Sequence, residues 1–166
     1  MTGDPQAVLQ SVLEAWQRSG VTGVRDTVWA MAPEDQVRLI IDLYNQGEIE
    51  PLAACIPDDF VHDMRPTGIP GMDLYHGPAG YRRFLQEWLG AFPDSSLVTE
   101  SVEGTDNRVF AVVRQEMRGA GSGVPVLFHY AALIGFHDGR AIESEFHTDL
   151  PSARTRFAAL AAAARR

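Results

Sequence analysis

The sequence predicts an α+β domain: a cone-shaped, curved antiparallel sheet packed on three helices, with an extra helix at the N-terminus. Three observations carry this reading. Tyr81, Phe84, Leu85, Trp88, Leu89 and Phe92 recur at i, i+3, i+4, i+7, i+8 and i+11, the pattern of a long amphipathic helix. After Pro93 the period changes to two, and four strand-like stretches follow one another. Ahead of the long helix come further helical patterns and one short strand. A twisted meander wrapped on a long helix makes a half-open cone with an apolar interior, where pockets form readily.

The elements follow in order. Asp4-Pro5 reads as an N-cap and first helical residue, after which Val8, Leu9, Val12, Leu13 and Trp16 share one helical face. Gly20 and Gly23 interrupt this helix, and residues 19–32 read as a less periodic, docked arm. Pro33-Glu34-Asp35 opens a second helix with acidic residues in its first turn, Val37, Ile40, Ile41 and Tyr44 on its apolar face and Gly47 at its end. A short third helix is expected over 48–56, a turn at Pro57-Asp58-Asp59 and a strand over 60–64. Pro66, Gly68, Pro70 and Gly71 mark residues 65–76 as a long, stiffened loop of the kind that rims pockets. The long helix starts at Pro78. Strands are expected over 96–103, 109–118, 124–136 and 141–148, with a hairpin turn at His137-Asp138-Gly139. From Pro151 the chain turns helical and ends in Ala-rich sequence that frays.

Bulk properties narrow the function. The chain has 166 residues, a length that suits one domain, and 45% of them are apolar, enough for a core without staples. The net charge of −8 argues against nucleic acid and against an anionic membrane surface. No apolar run reaches the length of a membrane span, and Met1-Thr2-Gly3-Asp4-Pro5 has neither a basic patch nor a signal-peptide core. A single cysteine, Cys55, leaves no intrachain disulfide and no Cys-based metal site. It reads as a small apolar filler and suits a reducing cytoplasm.

Several segments, in this order, carry a family likeness. They are Leu43-Tyr44-Asn45-Gln46-Gly47-Glu48-Ile49, Pro57-Asp58-Asp59-Phe60-Val61-His62-Asp63 and Tyr75-His76-Gly77-Pro78-Ala79-Gly80-Tyr81, then Ala91-Phe92-Pro93-Asp94 and Phe136-His137-Asp138-Gly139-Arg140 through Asp149. Together they resemble the SnoaL-like polyketide cyclases of the nuclear transport factor 2-like superfamily, which also holds ketosteroid isomerase and limonene epoxide hydrolase. The likeness covers roughly residues 35 to 160. It implies a cone domain over 33–166 and makes residues 1–32 an N-terminal helical extension. The fold hosts many chemistries as well as pure binders, so activity has to be read from the site.

By resemblance Asp63 matches the general base of ketosteroid isomerase. Beside an apolar cavity, desolvation is expected to raise its pKa toward neutrality. The oxyanion donors of that enzyme are a tyrosine and a protonated aspartate. They match Ile40 and Ala132 here, which cannot donate. Arg114 and Glu116 lie two apart on a strand and so share a face. Their spacing is similar to the Arg-x-Asp of limonene epoxide hydrolase, whose second acid matches Phe146, unless a bulge brings Glu145 in. The same pair also reads as a surface ion pair. His147, at the parity of Glu143 and Glu145, is a candidate acid. The catalytic candidates are therefore Asp63, Arg114, Glu116 and His147.

The substrate-binding candidates are His62, Tyr75, Tyr81, Trp88, Phe128, His129, Tyr130 and Phe146. Alternation sends His129 and Tyr130 to opposite faces. Tyr130 shares parity with Phe128, Ala132 and Ile134 and suits the pocket. His129 shares parity with Leu127 and Leu133 and also suits a dimer face. Tyr81, Phe84, Trp88 and Phe92 read first as core, with Trp88 also walling the cavity. No close-spaced ligand motif supports a metal, and no cofactor is expected.

Three functional readings follow. The first is a cofactor-independent acid–base cyclase or isomerase acting on a hydrophobic carbonyl compound, with Asp63 removing a proton alpha to the carbonyl. The second is water addition to an epoxide by Arg114 and Glu116. The third is a module that binds an apolar small molecule or a partner without chemistry. A homodimer is expected through the outer sheet face. Val109, Ala111 and Val113 make one face of their strand apolar and Phe110 and Val112 the other, and a sheet apolar on both sides needs cover on both.

Overall fold

A computed structural model describes residues 3–166 of the chain. Among the described residues lie five α-helices, α1 Pro5–Val28, α2 Pro33–Asn45, α3 Ile49–Ala54, α4 Gly77–Ala91 and α5 Leu150–Ala163. The strands are β1 Val61–Asp63, β2 Leu74–His76, β3 Asp94–Gly104, β4 Arg108–Arg118, β5 Pro125–His137 and β6 Arg140–His147. They form one sheet in the order β2-β1-β6-β5-β4-β3. The sequence pattern led us to expect an antiparallel sheet. The sheet is mixed, because β1 runs parallel to β6. A parallel neighbour needs a long crossover, and α4 with the β3–β5 meander supplies it. The expected loop over 65–76 is shorter than the sequence suggested. It contains a 3-10 turn, Arg65–Thr67, and then β2, which pairs with β1 as a small antiparallel ladder.

Helix α1 begins as expected, with the Asp4 carboxylate accepting from the Gln6 amide and Pro5 in the first turn. Gly20 breaks the helical path at φ 58°, and the helix then resumes. Gly23 lets the second half turn back closely, since a Cβ there would sit 2.6 Å from the Ala15 carbonyl oxygen. The resumed half docks on the C-terminal end of α3. Arg25 donates to the Ala54 and Ile56 carbonyls and pairs with Asp58, and the Trp29 indole donates to the Cys55 carbonyl. These bonds satisfy carbonyls that a helix end leaves open. Leu9, Val12, Val24 and Val28 of α1 thereby join the main core.

The concave face of the sheet packs on α2, α3 and α4, and the main core lies between them. The buried Gln36 side chain donates to the Met31 and Gly139 carbonyls, tying the start of α2 to the β5–β6 hairpin. On the convex face α5 covers Phe110, Ala131 and Leu133 with Ala153, Phe157 and Leu160. Arg154 of α5 pairs with Glu103 and lies over the Phe110 ring. A second copy is therefore not needed to cover this part of the outer face.

The hairpin turn has both central residues at positive φ, Asp138 at 49° and Gly139 at 75°, the geometry that matches strand twist. At Gly139 a Cβ would also lie 2.6 Å from the Trp29 carbonyl oxygen. Gly139→Ala is expected to destabilise the fold by about 1–3 kcal/mol, through both strain and displacement of α1. Urea unfolding reads this directly, and an unchanged midpoint would contradict the close approach.

Candidate functional site

Each wall of the cavity follows from the period of its element. Helix α4 turns Tyr81, Phe84, Leu85 and Trp88 inward, as their spacing requires. Strand β4 presents Ala111, Val113 and Gln115, β5 presents Phe128, Tyr130, Ala132 and Ile134, and β6 presents Ser144 and Phe146. Helix α2 closes the remaining side with Val37, Ile40, Ile41 and Tyr44. The cavity, partly open to the outside, has a volume of about 110 Å³, room for several water-sized groups.

The wall is aromatic over much of its area. Phe128 stacks on Tyr130 at 5.0 Å, and Tyr130 stacks on Phe146 at 4.6 Å. Trp88 lies 5.7 Å from Phe128. Polar groups are few. At one end Tyr44 Oη, Ser95 Oγ and Gln115 Nε2 form a closed triangle with sides of 2.8, 2.6 and 3.2 Å. The Tyr81 and Tyr130 hydroxyls have no hydrogen-bond partner among the described residues, and both residues line the cavity. Burial drives both phenols well above their ordinary pKa, with the neighbouring tyrosines adding to the effect.

His62, expected to bind substrate, lies behind this wall and is not among the residues that line the cavity. It is fully buried at 0% exposure, boxed by Phe84 at 4.6 Å and Phe146 at 4.7 Å. Its Nδ1 shares a hydrogen bond of 2.5 Å with Ser144 Oγ across the β1–β6 ladder, and Nε2 has no partner among the described residues. Burial pulls its pKa down to about 3, against the opposing pull of the Asp63 carboxylate, so the ring is neutral at pH 7.

The candidates divide by face. Tyr81, Trp88, Phe128, Tyr130 and Phe146 line the cavity together. Ile40 and Ala132, which the sequence resemblance matches to isomerase donors, line it as apolar wall. Tyr75 is buried behind α4, where its hydroxyl donates to Glu87. Asp63 is turned to the other side of β1 from His62. Its carboxylate takes both Arg65 Nε and Nη2 at 2.9 Å, and it accepts from the Arg65 amide at 3.0 Å. A raised pKa was expected at Asp63 on the assumption that it faces the cavity. The hydrogen bonds from Arg65 instead hold it below the ordinary carboxylate range.

Arg114 and Glu116 share a face, as expected, but it is the convex one, where they pair at 3.4 Å in contact with solvent. His129 lies on the same face and bonds to Glu100 at 2.8 Å, away from the cavity where a substrate-binding role would put it. His147 bonds to Glu145, and Glu145 is held by Arg156 of α5, so that no bulge brings Glu145 inward. The Arg156 guanidinium is the main reason that the Glu145 pKa is lowered. Among the described residues no Asp or Glu lines the cavity, and no three metal-ligating side chains cluster. Sequence reasoning passed over Gln115 and Ser144. The signal was present in the alternation, since Gln115 shares parity with Ala111 and Val113, and Ser144 with Phe146.

The sequence pattern of the SnoaL-like domain family matches residues 37–144, from within α2 into β6. The chain belongs to the SnoaL-like family. No curated protein matches this SnoaL-like chain in sequence. Among solved structures it is similar to TerC co-crystallised with polyporic acid, at 17% identity and a TM-score of 0.59, over 70% of this chain and 90% of that one. It is similar also to a protein assigned as a SnoaL-like polyketide cyclase from Shewanella putrefaciens, at 14% identity and a TM-score of 0.58, over 77% of this chain and 98% of that one. A third is a protein of ketosteroid isomerase-like fold from Catenulispora acidiphila in complex with trimethylamine, at 8% identity and a TM-score of 0.58, over 66% of this chain and 82% of that one. At these identities the likeness is one of fold. Among the described residues no helix is long and apolar enough to cross a membrane.

The state of His62 has a consequence for stability. The unfolded chain takes up a proton near pH 6.5 that the folded chain refuses until about pH 3. The stability that depends on this neutral ring is complete above pH 6.5 and falls as the pH drops below it, by about 1.4 kcal/mol per pH unit. His62→Asn, which keeps a polar partner for Ser144 and does not titrate, is expected to show a shallower loss between about pH 6 and 4.5. Denaturant unfolding at both values measures the two slopes, and equal slopes would contradict a neutral buried imidazole.

Proposed function

We propose that the chain binds a neutral, largely apolar, ring-bearing small molecule in the cavity between α4 and the sheet, with an oxygen of the ligand held by phenol hydroxyls. One observation carries the reading. The titratable groups on the wall are Tyr44, Cys55, Tyr81 and Tyr130, and burial raises the pKa of every one, so all are uncharged at neutral pH. A charged ligand would be desolvated there without a partner, at a cost of several kcal/mol. A flat aromatic ligand finds stacking surfaces in Phe128, Tyr130, Phe146 and Trp88. That fold neighbours hold polyporic acid and trimethylamine supports a small-molecule role.

A second reading is a cofactor-independent cyclase or isomerase acting on a hydrophobic carbonyl compound. Family membership favours it, as do two partnerless phenols able to polarise a carbonyl oxygen. Its base would be Asp63, freed from Arg65 and turned inward. Binding is placed first because no carboxylate stands at the wall. The epoxide reading loses its support, since Arg114 and Glu116 face away from the cavity.

A homodimer belongs to the proposal as well. Beyond α5 the outer face presents Leu127, 65% exposed, beside Val98 and His129, and a second copy would cover them. A monomeric mass at micromolar concentration would remove it. A cytoplasmic setting is supported by the single cysteine, whose buried thiol has its pKa pushed up to about 12.

Calorimetric titration with acetophenone, a neutral aromatic ketone, is the test. Wild type is expected to bind it, Tyr130→Phe to weaken binding by about threefold to tenfold, and Asp63→Asn to leave the affinity within about twofold. Loss of binding in Asp63→Asn, or turnover of such ketones abolished by that substitution, would favour the enzyme reading instead.

A further inference from the structure

The triangle at the end of the cavity determines which way the Gln115 amide points. Three contacts join Tyr44 Oη, Ser95 Oγ and the end of the Gln115 side chain. Each contact needs one hydrogen. Two hydroxyls supply two hydrogens in all. If the amide oxygen faced the hydroxyls, it could only accept, and three contacts would share two hydrogens. One contact would then set lone pair against lone pair. With the amide nitrogen facing them, its two hydrogens serve Tyr44 and Ser95, and one hydroxyl hydrogen serves the contact between those two. Every contact is then satisfied. Hydrogen count, which is how amide ends are distinguished, therefore assigns Nε2 to the triangle.

The consequence lies at the other end of the amide. Oε1 has no hydrogen-bond partner among the described residues, although Gln115 is only 3% exposed and lines the cavity. Oε1 is not among the fully enclosed unpartnered atoms, so it keeps access to open space, and an unpartnered carbonyl oxygen beside a ligand space is an acceptor held ready. The triangle prevents the amide from turning to present its donor side. Asn45 reinforces the arrangement. Its side chain donates to the Leu97 carbonyl and accepts from the Leu97 amide, which fixes β3, and with it Ser95, against α2.

We propose that Gln115 Oε1 is a specificity-determining acceptor, and that the ligand of this cavity carries a hydroxyl donor in addition to the oxygen met by the phenols. The site accordingly takes hydroxylated aromatic carbonyl compounds in preference to their methyl ethers. The inference rests on the cavity being a ligand site and adds the donor requirement to it.

The test compares acetophenone with 3- and 4-hydroxyacetophenone and the matching methoxyacetophenones, by calorimetric titration of the full chain. The expected result is that one hydroxy compound binds about tenfold more tightly than its methyl ether. In Gln115→Leu that ratio is expected to fall to about one. Removing both hydroxyls of the triangle with Tyr44→Phe and Ser95→Ala, while keeping Gln115, frees the amide to turn. The ratio is then expected to fall as well, which a purely steric role for Gln115 would not produce. Thermal melts of both variants establish that they are folded, and either one alone is sufficient to read the ratio. If acetophenone binds wild type and neither hydroxy compound is preferred, the acceptor role is overturned and the ligand site stands. If no ketone of the set binds, the ligand site itself falls.

Discussion

Strand β1 is three residues long, and the pairing of its middle residue decides the chemistry of the cavity. His62 stands opposite Ser144 on β6 and opposite Tyr75 on β2, so the strand has no freedom to slip without breaking both ladders. With His62 inward, alternation sends Asp63 outward. The carboxylate of Asp63 thus meets Arg65 rather than the cavity. A shift of β1 by one residue would reverse both side chains. It would also bury a carboxylate and expose an imidazole now enclosed by Phe84 and Phe146.

The same constraint operates through the meander. Arg114, Glu116, His129, Glu145 and His147 all take the convex face, where one another, Glu100 or Arg156 partner them. Their inward neighbours are Val113, Gln115, Phe128, Tyr130, Ser144 and Phe146. The result is a chamber whose polar atoms are hydroxyls and amides and whose ionisable groups are kept neutral by burial. Such a chamber is suited to recognising a neutral molecule by shape, stacking and a few directed hydrogen bonds. It is poorly suited to taking a proton at pH 7, because among the described residues no carboxylate or imidazole lines it, and His62 behind its wall is held neutral and bonded to Ser144.

Much of this was legible in the residues. The i, i+3, i+4 stripe of α4, the change of period at Pro93 and the paired turn residues Asp138-Gly139 report local geometry, and all three recur in the fold. The face occupied by Tyr130 followed from parity alone. Other features depend on contacts distant in sequence. The parallel pairing of β1 with β6 joins residues far apart in the chain, such as His62 and Ser144, and no local pattern marks it. Strand β2 hid in a segment whose prolines and glycines read as loop. The inward turn of His62 could not be chosen over that of Asp63 from three alternating residues, each compatible with either face. Helix α5 was visible as a helix, but its place on Phe110 and Leu133 was not. Attention to charge also misdirected the reading of β4, because Arg114 and Glu116 bracket the uncharged Gln115 that lines the cavity.

The central claim is that every polar group facing the ligand is uncharged across the physiological range. The pH dependence of binding of a neutral aromatic ketone such as acetophenone, measured from about pH 5 to 8, tests it most directly. The account predicts an affinity that is flat over that interval, since the tyrosines of the wall titrate far above it and His62, buried behind the wall, far below it. A change in affinity with a midpoint inside the interval would mean that a titrating imidazole or carboxylate faces the ligand, and would contradict it.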